Sequence, residues 1–491
     1  MLRYKKGMVA IVITFFIVSF VAPFVDSWNI SNASGEVNIK LTGKKWTWMF
    51  YNDADFTPGY DPMNDFAKEA YSAENLNVIV LHDNYGNPAK IWYIDEHHNK
   101  RLLEEWGEVD MGDYQTLRDF IEYSKENYPA ERYLLSFYDH GMGWRGACID
   151  DTNHDWLTMN EIQKALTETG GVDIVCFTAP CNMGALESVY ELRDCTDVYI
   201  GSEAGSGYVW WQYIISDICD MLNQNPDADD IALGKQIINL IEKDHYRWSF
   251  VERITMSAIR TDKMKELANS IDIVAGDFIA NFEESYEKIQ SVYDDVQSFG
   301  AGRYLDVYDF TQKYLNVETN QTARQHLESV MNCLSDAVIA ECHGNQHPNA
   351  HGLTIYFPNP AQYRYDSSYS SVGYGLDFSR DTQWNEFLEY YFGRKPYVIV
   401  YGINGGLGVT AYLKNIGGRY GSDVSWEIII DAPLMLSGRI SKGSVDIEPG
   451  EVIQIKSDIV MGIGPATISV ITENDKETVH GFVIGPFVSF G

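Results

Sequence analysis

Two apolar runs that each stop on a reactive side chain constrain this chain most. The first, Tyr133-Leu134-Leu135-Ser136-Phe137-Tyr138, gives way to Asp139-His140-Gly141-Met142-Gly143-Trp144. The second, Val172-Asp173-Ile174-Val175-Cys176-Phe177, leads through Thr178-Ala179-Pro180 to Cys181-Asn182-Met183-Gly184 and a helix-like segment from Ala185 to Leu192. Short apolar runs bounded by turn residues read as buried strands. In open α/β sheets ligands bind beyond the carboxyl ends of neighbouring strands, so the pattern predicts His140 and Cys181 side by side as a Cys/His nucleophile pair. A thiolate attacks a carbonyl far better than a thiol does, and both His140 and the helix near Ala185 would favour the thiolate. The glycine after the histidine permits close backbone approach, so the amides of Gly141 and Cys181 are candidate oxyanion donors.

Histidine precedes cysteine by 41 positions, the order and approximate separation of caspase-like rather than papain-like enzymes. Further motifs follow in a matching order: Lys45-Trp46-Thr47-Trp48-Met49-Phe50-Tyr51, Asn77-Val78-Ile79-Val80-Leu81, Thr116 to Phe120, Tyr128-Pro129-Ala130, Leu157-Thr158, Gly201-Ser202-Glu203 and Gly352 to Pro358. On these residues, spread over roughly Lys44 to Arg394, the chain resembles the clostripain family of cysteine peptidases (peptidase family C11), distant relatives of caspases and gingipains. The resemblance implies an α/β caspase-like three-layer core with a mostly parallel sheet. It implies a cysteine endopeptidase acting on protein or peptide substrates through His140 and Cys181, with no cofactor required for the chemistry. It also implies cleavage after Arg or Lys at P1. Relatives usually carry Asp-Ala before the nucleophile, where this chain has Ala179-Pro180. Ala179 thus removes a charge from the expected pocket, and Ser202 and Glu203 resemble the segment lining it, so Glu203 could replace that charge, with a surface or structural carboxylate as the competing reading. Relatives can cut themselves after a basic residue, which places Arg145 in the candidate loop. The alternative reading is a catalytically inactive caspase-like surface binding or adhesion protein, its cleft blocked by Ala179-Pro180.

Between the two motifs, Asp151, Asn153 and Asp155 form a D-x-N-x-D pattern that could offer oxygen ligands to a structural Ca²⁺. An EF-hand would need glycine and glutamate where Trp156 and Ile162 stand, so this is no EF-hand, and an acidic turn held by its own side chains is the competing reading. The family resemblance supports calcium without locating it. Thr158-Met159-Asn160-Glu161 reads as a capping box opening a helix. His343, His347 and His351 stand four apart, yet Gly344, Pro348 and Gly352 argue against a metal-binding helix there.

Residues 1–26 combine Arg3, Lys5 and Lys6 with an uncharged run from Gly7 to Val25, a signal peptide or membrane anchor that places the remainder outside the cytoplasm or at the cell surface. A polar stalk covers 27–43, the catalytic domain 44–394, and a β-sandwich accessory domain 395–491, where strand-like runs alternate with Gly, Asn and Pro turns. The formal charge of −33 disfavours nucleic acid as a partner. Of the seven cysteines, Cys333 and Cys342 are the pair most open to a disulfide.

Overall fold

In the first strand every residue from Trp46 to Ala54 is buried, with alternate side chains turned to opposite sides: Trp46, Trp48 and Phe50 to one core, Met49 and Tyr51 to another. A strand covered on both faces belongs inside a layered α/β sheet. The computed structural model describes residues 43–55, 61–205, 211, 213–244, 253–301, 303–359, 363, 369, 375–393, 396–415, 417 and 420–490. The expected leader or anchor at 1–26 and nearly all of the stalk lie outside these residues. No helix among the described residues is long and apolar enough to cross a membrane.

The strands are β1 (Lys44–Ala54), β2 (Leu76–Asn84), β3 (Asn87–Ile94), β4 (Lys100–Gly107), β5 (Ala130–Tyr138), β6 (Ala147–Asp150), β7 (Asp155–Leu157), β8 (Ile174–Phe177), β9 (Val198–Gly201), β10 (Thr255–Arg260), β11 (Ser298–Phe299), β12 (Tyr304–Asp306), β13 (Val338–His343) and β14 (Thr354–Tyr356). Nine of them form one sheet in the order β13-β10-β9-β8-β5-β1-β2-β3-β4. The five central strands, β9 to β2 in that order, are parallel. Antiparallel strands close both edges, with the β3–β4 hairpin at one of them. The sheet is therefore mixed, parallel in its centre.

Helices cover both faces. On one side lie α1 (Met63–Glu69), which contributes Phe66, and two helices around Ile218 and Ile237. On the other lie α2 (Tyr114–Asn127), through Leu117 and Phe120, and α3 (Met159–Glu168), through Ile162 and Leu166. Helix α2 is capped by Asp113, and α3 opens on the predicted box, Thr158 Oγ1 accepting from Glu161 N while Glu161 accepts from Thr158 N. None of the seven cysteines is joined in a disulfide. Cys333 and Cys342 belong to cores on opposite faces of the sheet, which is why the expected pair does not form.

After Gly393 the chain becomes all-β. Antiparallel sheets of three and seven strands share one apolar core built from Val398, Leu413, Ile428, Ile468 and Val483. This is the expected C-terminal sandwich in a curled form.

Candidate active site

Strands β5 and β8 are direct neighbours, with Phe137 opposite Phe177. Thr178 lashes their ends together, its N–H donating to Phe137 O at 3.1 Å and its hydroxyl at 2.6 Å to the same oxygen. Beyond this tie the backbones converge. A Cβ on Gly141 would stand 2.5 Å from both the N and O atoms of Cys181, so no side chain fits there. His140 is exposed and Cys181 half-buried, both at the carboxyl end of the sheet. This is where the sequence predicts the pair.

The two loops are held from different sides. Cys148 N donates to His140 O at 3.0 Å, and Gly141 bridges Ala147, so the histidine loop leans on β6. Asn182, at φ 59°, gives its N–H to Ala204 O at 3.0 Å, and Gly184 N donates to Ser202 O at 2.8 Å, so the cysteine turn leans on the segment after β9. Gly205 follows immediately; a Cβ there would lie 3.9 Å from Cys181 Sγ. Tyr304 fixes the outer turn, its hydroxyl donating to Met142 O at 3.1 Å. The short helix after the cysteine, α4 (Leu186–Glu191), begins only after the Cys181–Gly184 turn. The helix thus starts where the sequence places it, with Ala185 at its N-cap.

Asp139 is a functional candidate that sequence reasoning passed over. It is buried, sits at φ 136°, and accepts from Ile149 N at 2.5 Å. Burial pushes its carboxyl up to about 7, against the hydrogen bonds from the Ile149 and His140 amides. A side chain held at such a φ beside the histidine is the kind of local strain that accumulates at working sites.

The expected pocket residues turn inward. Ala179 is buried in the core. Ser202 shares a hydrogen bond of 3.0 Å with Thr255 Oγ1 beneath the sheet edge. Glu203 is 1% exposed and accepts from Gly352 N at 3.0 Å; burial and neighbouring Asp306 push its carboxyl well above the usual range. Of the aromatic run 208–213 only Trp211, in the core, and exposed Tyr213 are described. The histidine triplet disperses: His343 meets Glu341, His347 meets Gln297, and His351 meets Asp306.

The acidic segment after β6 closes on its own carboxylates. Asn153 N donates to Asp150 Oδ1 at 2.7 Å and Trp156 N to Asp155 Oδ1 at 2.9 Å. Asp151, Asn153 and Asp155 thus lie in a surface turn. The carboxylates that converge are others, Asp55, Asp83 and Asp150.

The family model of clostripain, peptidase C11, matches residues 59–391. Clostripain of Hathewaya histolytica is 26% identical over 437 residues, covering 73% of this chain and 82% of that protein. An inactive zymogen C11 protease from Parabacteroides distasonis shares the fold at a TM-score of 0.53 and 18% identity, over 70% of this chain and 99% of that one. A secreted C11 cysteine protease from Bacteroides thetaiotaomicron, solved with an irreversible peptide inhibitor, gives 0.51 and 15%, over 71% of this chain and 99% of that one.

Proposed function

The chain belongs to the clostripain family of cysteine endopeptidases, and we propose that within it Cys181 is the nucleophile and His140 the general acid and base. The observation that carries the assignment is the approach of Gly141 to Cys181, which sets the two strand ends within reach of one scissile bond. Cys181 Sγ attacks the carbonyl carbon as a thiolate, and the negative oxygen that forms accepts hydrogen bonds from the Gly141 and Cys181 amides. Protonated His140 gives its proton to the leaving amine as the C–N bond breaks. Water, deprotonated by His140, then attacks the thioester carbonyl, the C–S bond breaks to release the acyl group as an acid, and the thiolate–imidazolium pair is restored. No cofactor enters these steps.

The preferred P1 residue in this proposal is Arg or Lys, in line with the family resemblance. In this proposal Glu203 does not read it, a choice supported by its burial and by its bond from Gly352 N. The acidic balance of the chain favours cationic peptides in general. We place the enzyme outside the cytoplasm, supported by the uncharged run 7–25 behind basic residues and by the secreted relative; whether that run anchors the chain is part of the same proposal. The boundary near residue 394, separating a catalytic domain from an accessory one, also belongs to it.

The test is hydrolysis of a mixed-P1 peptide library by the full chain beside Cys181→Ala and His140→Ala. Cleavage after Arg or Lys should fall roughly 10⁴-fold or more in the cysteine variant. Cleavage after other residues would keep the dyad and discard the basic specificity. Folded protein that neither cleaves nor reacts with a thiol-directed electrophile would favour the binding-protein reading.

A further inference from the structure

Asp55 stands just past β1, Asp83 near the end of β2, and Asp150 at the end of β6. One carboxylate oxygen of each lies within 4.8 Å of the others. All three residues are buried, at 1%, 1% and 0% exposure. Among the described residues, no side chain donates to Asp83 or to Asp55 Oδ1: the one group favouring the Asp83 carboxylate is the Asn84 amide beside it, and the Asp55 carboxyl faces that of Asp150. The charges that act most on Asp83 are those of Glu108, Asp55 and Asp150, all acidic. Buried like charges without a partner are costly enough that proteins pair them or place a cation among them. A second acidic trio at the opposite end of the sheet makes the contrast: beside Asp173 and Asp197, Asp230 meets Arg132 at 3.0 Å.

The trio is also pre-shaped. Asp150 is oriented by Met111 N at 2.9 Å and Asn153 N at 2.7 Å, and Asp55 by Thr152 N at 3.3 Å. Backbone donors that aim carboxylate ligands are typical of the outer shell of a metal site. The donors are all oxygen, which suits a hard cation, and their spacing is within twice a Ca²⁺–O distance of about 2.4 Å.

We propose that Asp55, Asp83 and Asp150 hold one Ca²⁺, with water completing its shell, and that the ion fastens the β6–β7 hairpin to the ends of β1 and β2. The site is distinct from the Asp151, Asn153 and Asp155 turn. The consequence for catalysis rests on the dyad proposed above. Ile149 N holds Asp139 and Cys148 N holds the His140 carbonyl, so an ion that seats β6 also seats the histidine loop.

The experiment uses the full chain carrying Cys181→Ala, which separates binding from catalysis and self-digestion. After chelation, CaCl₂ is titrated by calorimetry and by thermal unfolding. One ion per chain is expected, with Tm raised by about 3 °C at roughly a hundredfold excess over Kd. Adding Asp83→Asn, which retains shape but loses a charged ligand, should weaken binding at least about tenfold. In chelator that variant should melt at or above its parent, because a like charge is gone, and the order should reverse in Ca²⁺. A crossing of this kind is not what a merely structural aspartate gives. Adding Asp155→Asn instead should leave binding unchanged. Absence of both heat and Tm shift at millimolar Ca²⁺, or loss of binding in Asp155→Asn and not in Asp83→Asn, overturns the site. Binding of Mg²⁺ in preference to Ca²⁺ overturns the choice of ion. With Cys181 restored, activity lost on chelation should return with Ca²⁺; an active chelated enzyme would remove the link to His140 while leaving the dyad standing.

Discussion

At the scale of single residues the site depends on one missing atom. Gly141→Ala would place a methyl carbon 2.5 Å from Cys181 N and O, and backbone at that distance has to move. We expect kcat/KM to fall at least about 100-fold and stability to drop by about 1–3 kcal/mol, read by peptide hydrolysis and chemical unfolding. Glu203→Gln is expected to do the opposite of what its position in the sequence suggests: it keeps the acceptor for Gly352 N and leaves the Arg/Lys selectivity unchanged. A shift of P1 preference in that variant would return Glu203 to the pocket. The placement of His140, Gly141 and Cys181 at neighbouring strand ends was legible because a strand end fixes where its next residues stand. Glu203 was not, since its partner comes from 149 residues away and nothing local says which way the side chain turns. Asp139 was hidden for a different reason: an aspartate before His-Gly reads as an ordinary turn residue, and the Ile149 amide that holds its carboxylate comes from β6.

At the scale of elements, the β6–β7 hairpin governs the histidine loop, and it bears on self-cleavage. Arg145 lies in the turn that the family resemblance marks as a cutting site, but the bond after it is clamped. Gly146 N donates to Gly143 O at 3.0 Å, Met142 N donates to Gly146 O at 2.9 Å, and a Cβ on Gly146 would sit 1.9 Å from Leu157 O. A protease needs a strand it can draw into its cleft, and such turns resist unless they open locally. The folded enzyme is therefore expected to remain uncut after Arg145, with intact mass the same in wild type and Arg145→Ala after prolonged incubation. A fragment ending at Arg145 in wild type alone would contradict this. The hairpin's job could not be read from sequence, because β6 and β7 are three or four residues each and their anchors on Asp55 and His140 are tertiary. The capping box of α3 is a local feature, and it was visible.

At the scale of the whole molecule, buried acids set how stability follows pH. Glu187, fully buried behind the cysteine turn, accepts from Tyr356 N and the Tyr369 hydroxyl, both at 2.9 Å, and burial pushes its carboxyl up to about 7. Glu191, one turn on, accepts from Asp377 N at 2.9 Å; burial, then the Asp377 charge, push it up to about 8. In the unfolded chain both ionise near the ordinary glutamate value, so between about pH 5 and 8 the folded state holds protons that the unfolded state has released. Their contribution is full below the unfolded value and is lost as pH rises through 7 and 8, on the order of a few kcal/mol each at most. Asp377 and Glu318 act in the other direction, held low by Arg193 and Lys288 against the desolvation of burial, but that gain is complete before pH 6. Repulsion among surface charges, at a net −33, also weakens the fold as pH rises, and salt screens it. Unfolding free energy measured from pH 6 to 8.5 in high salt, at fixed Ca²⁺, should therefore still decline. Glu187→Gln with Glu191→Gln should lessen that decline, because a buried amide has no proton to lose, while Asp139 and Glu203, also raised by burial, keep part of it. A slope that high salt abolishes in the wild type would assign it to the surface and not to the buried acids.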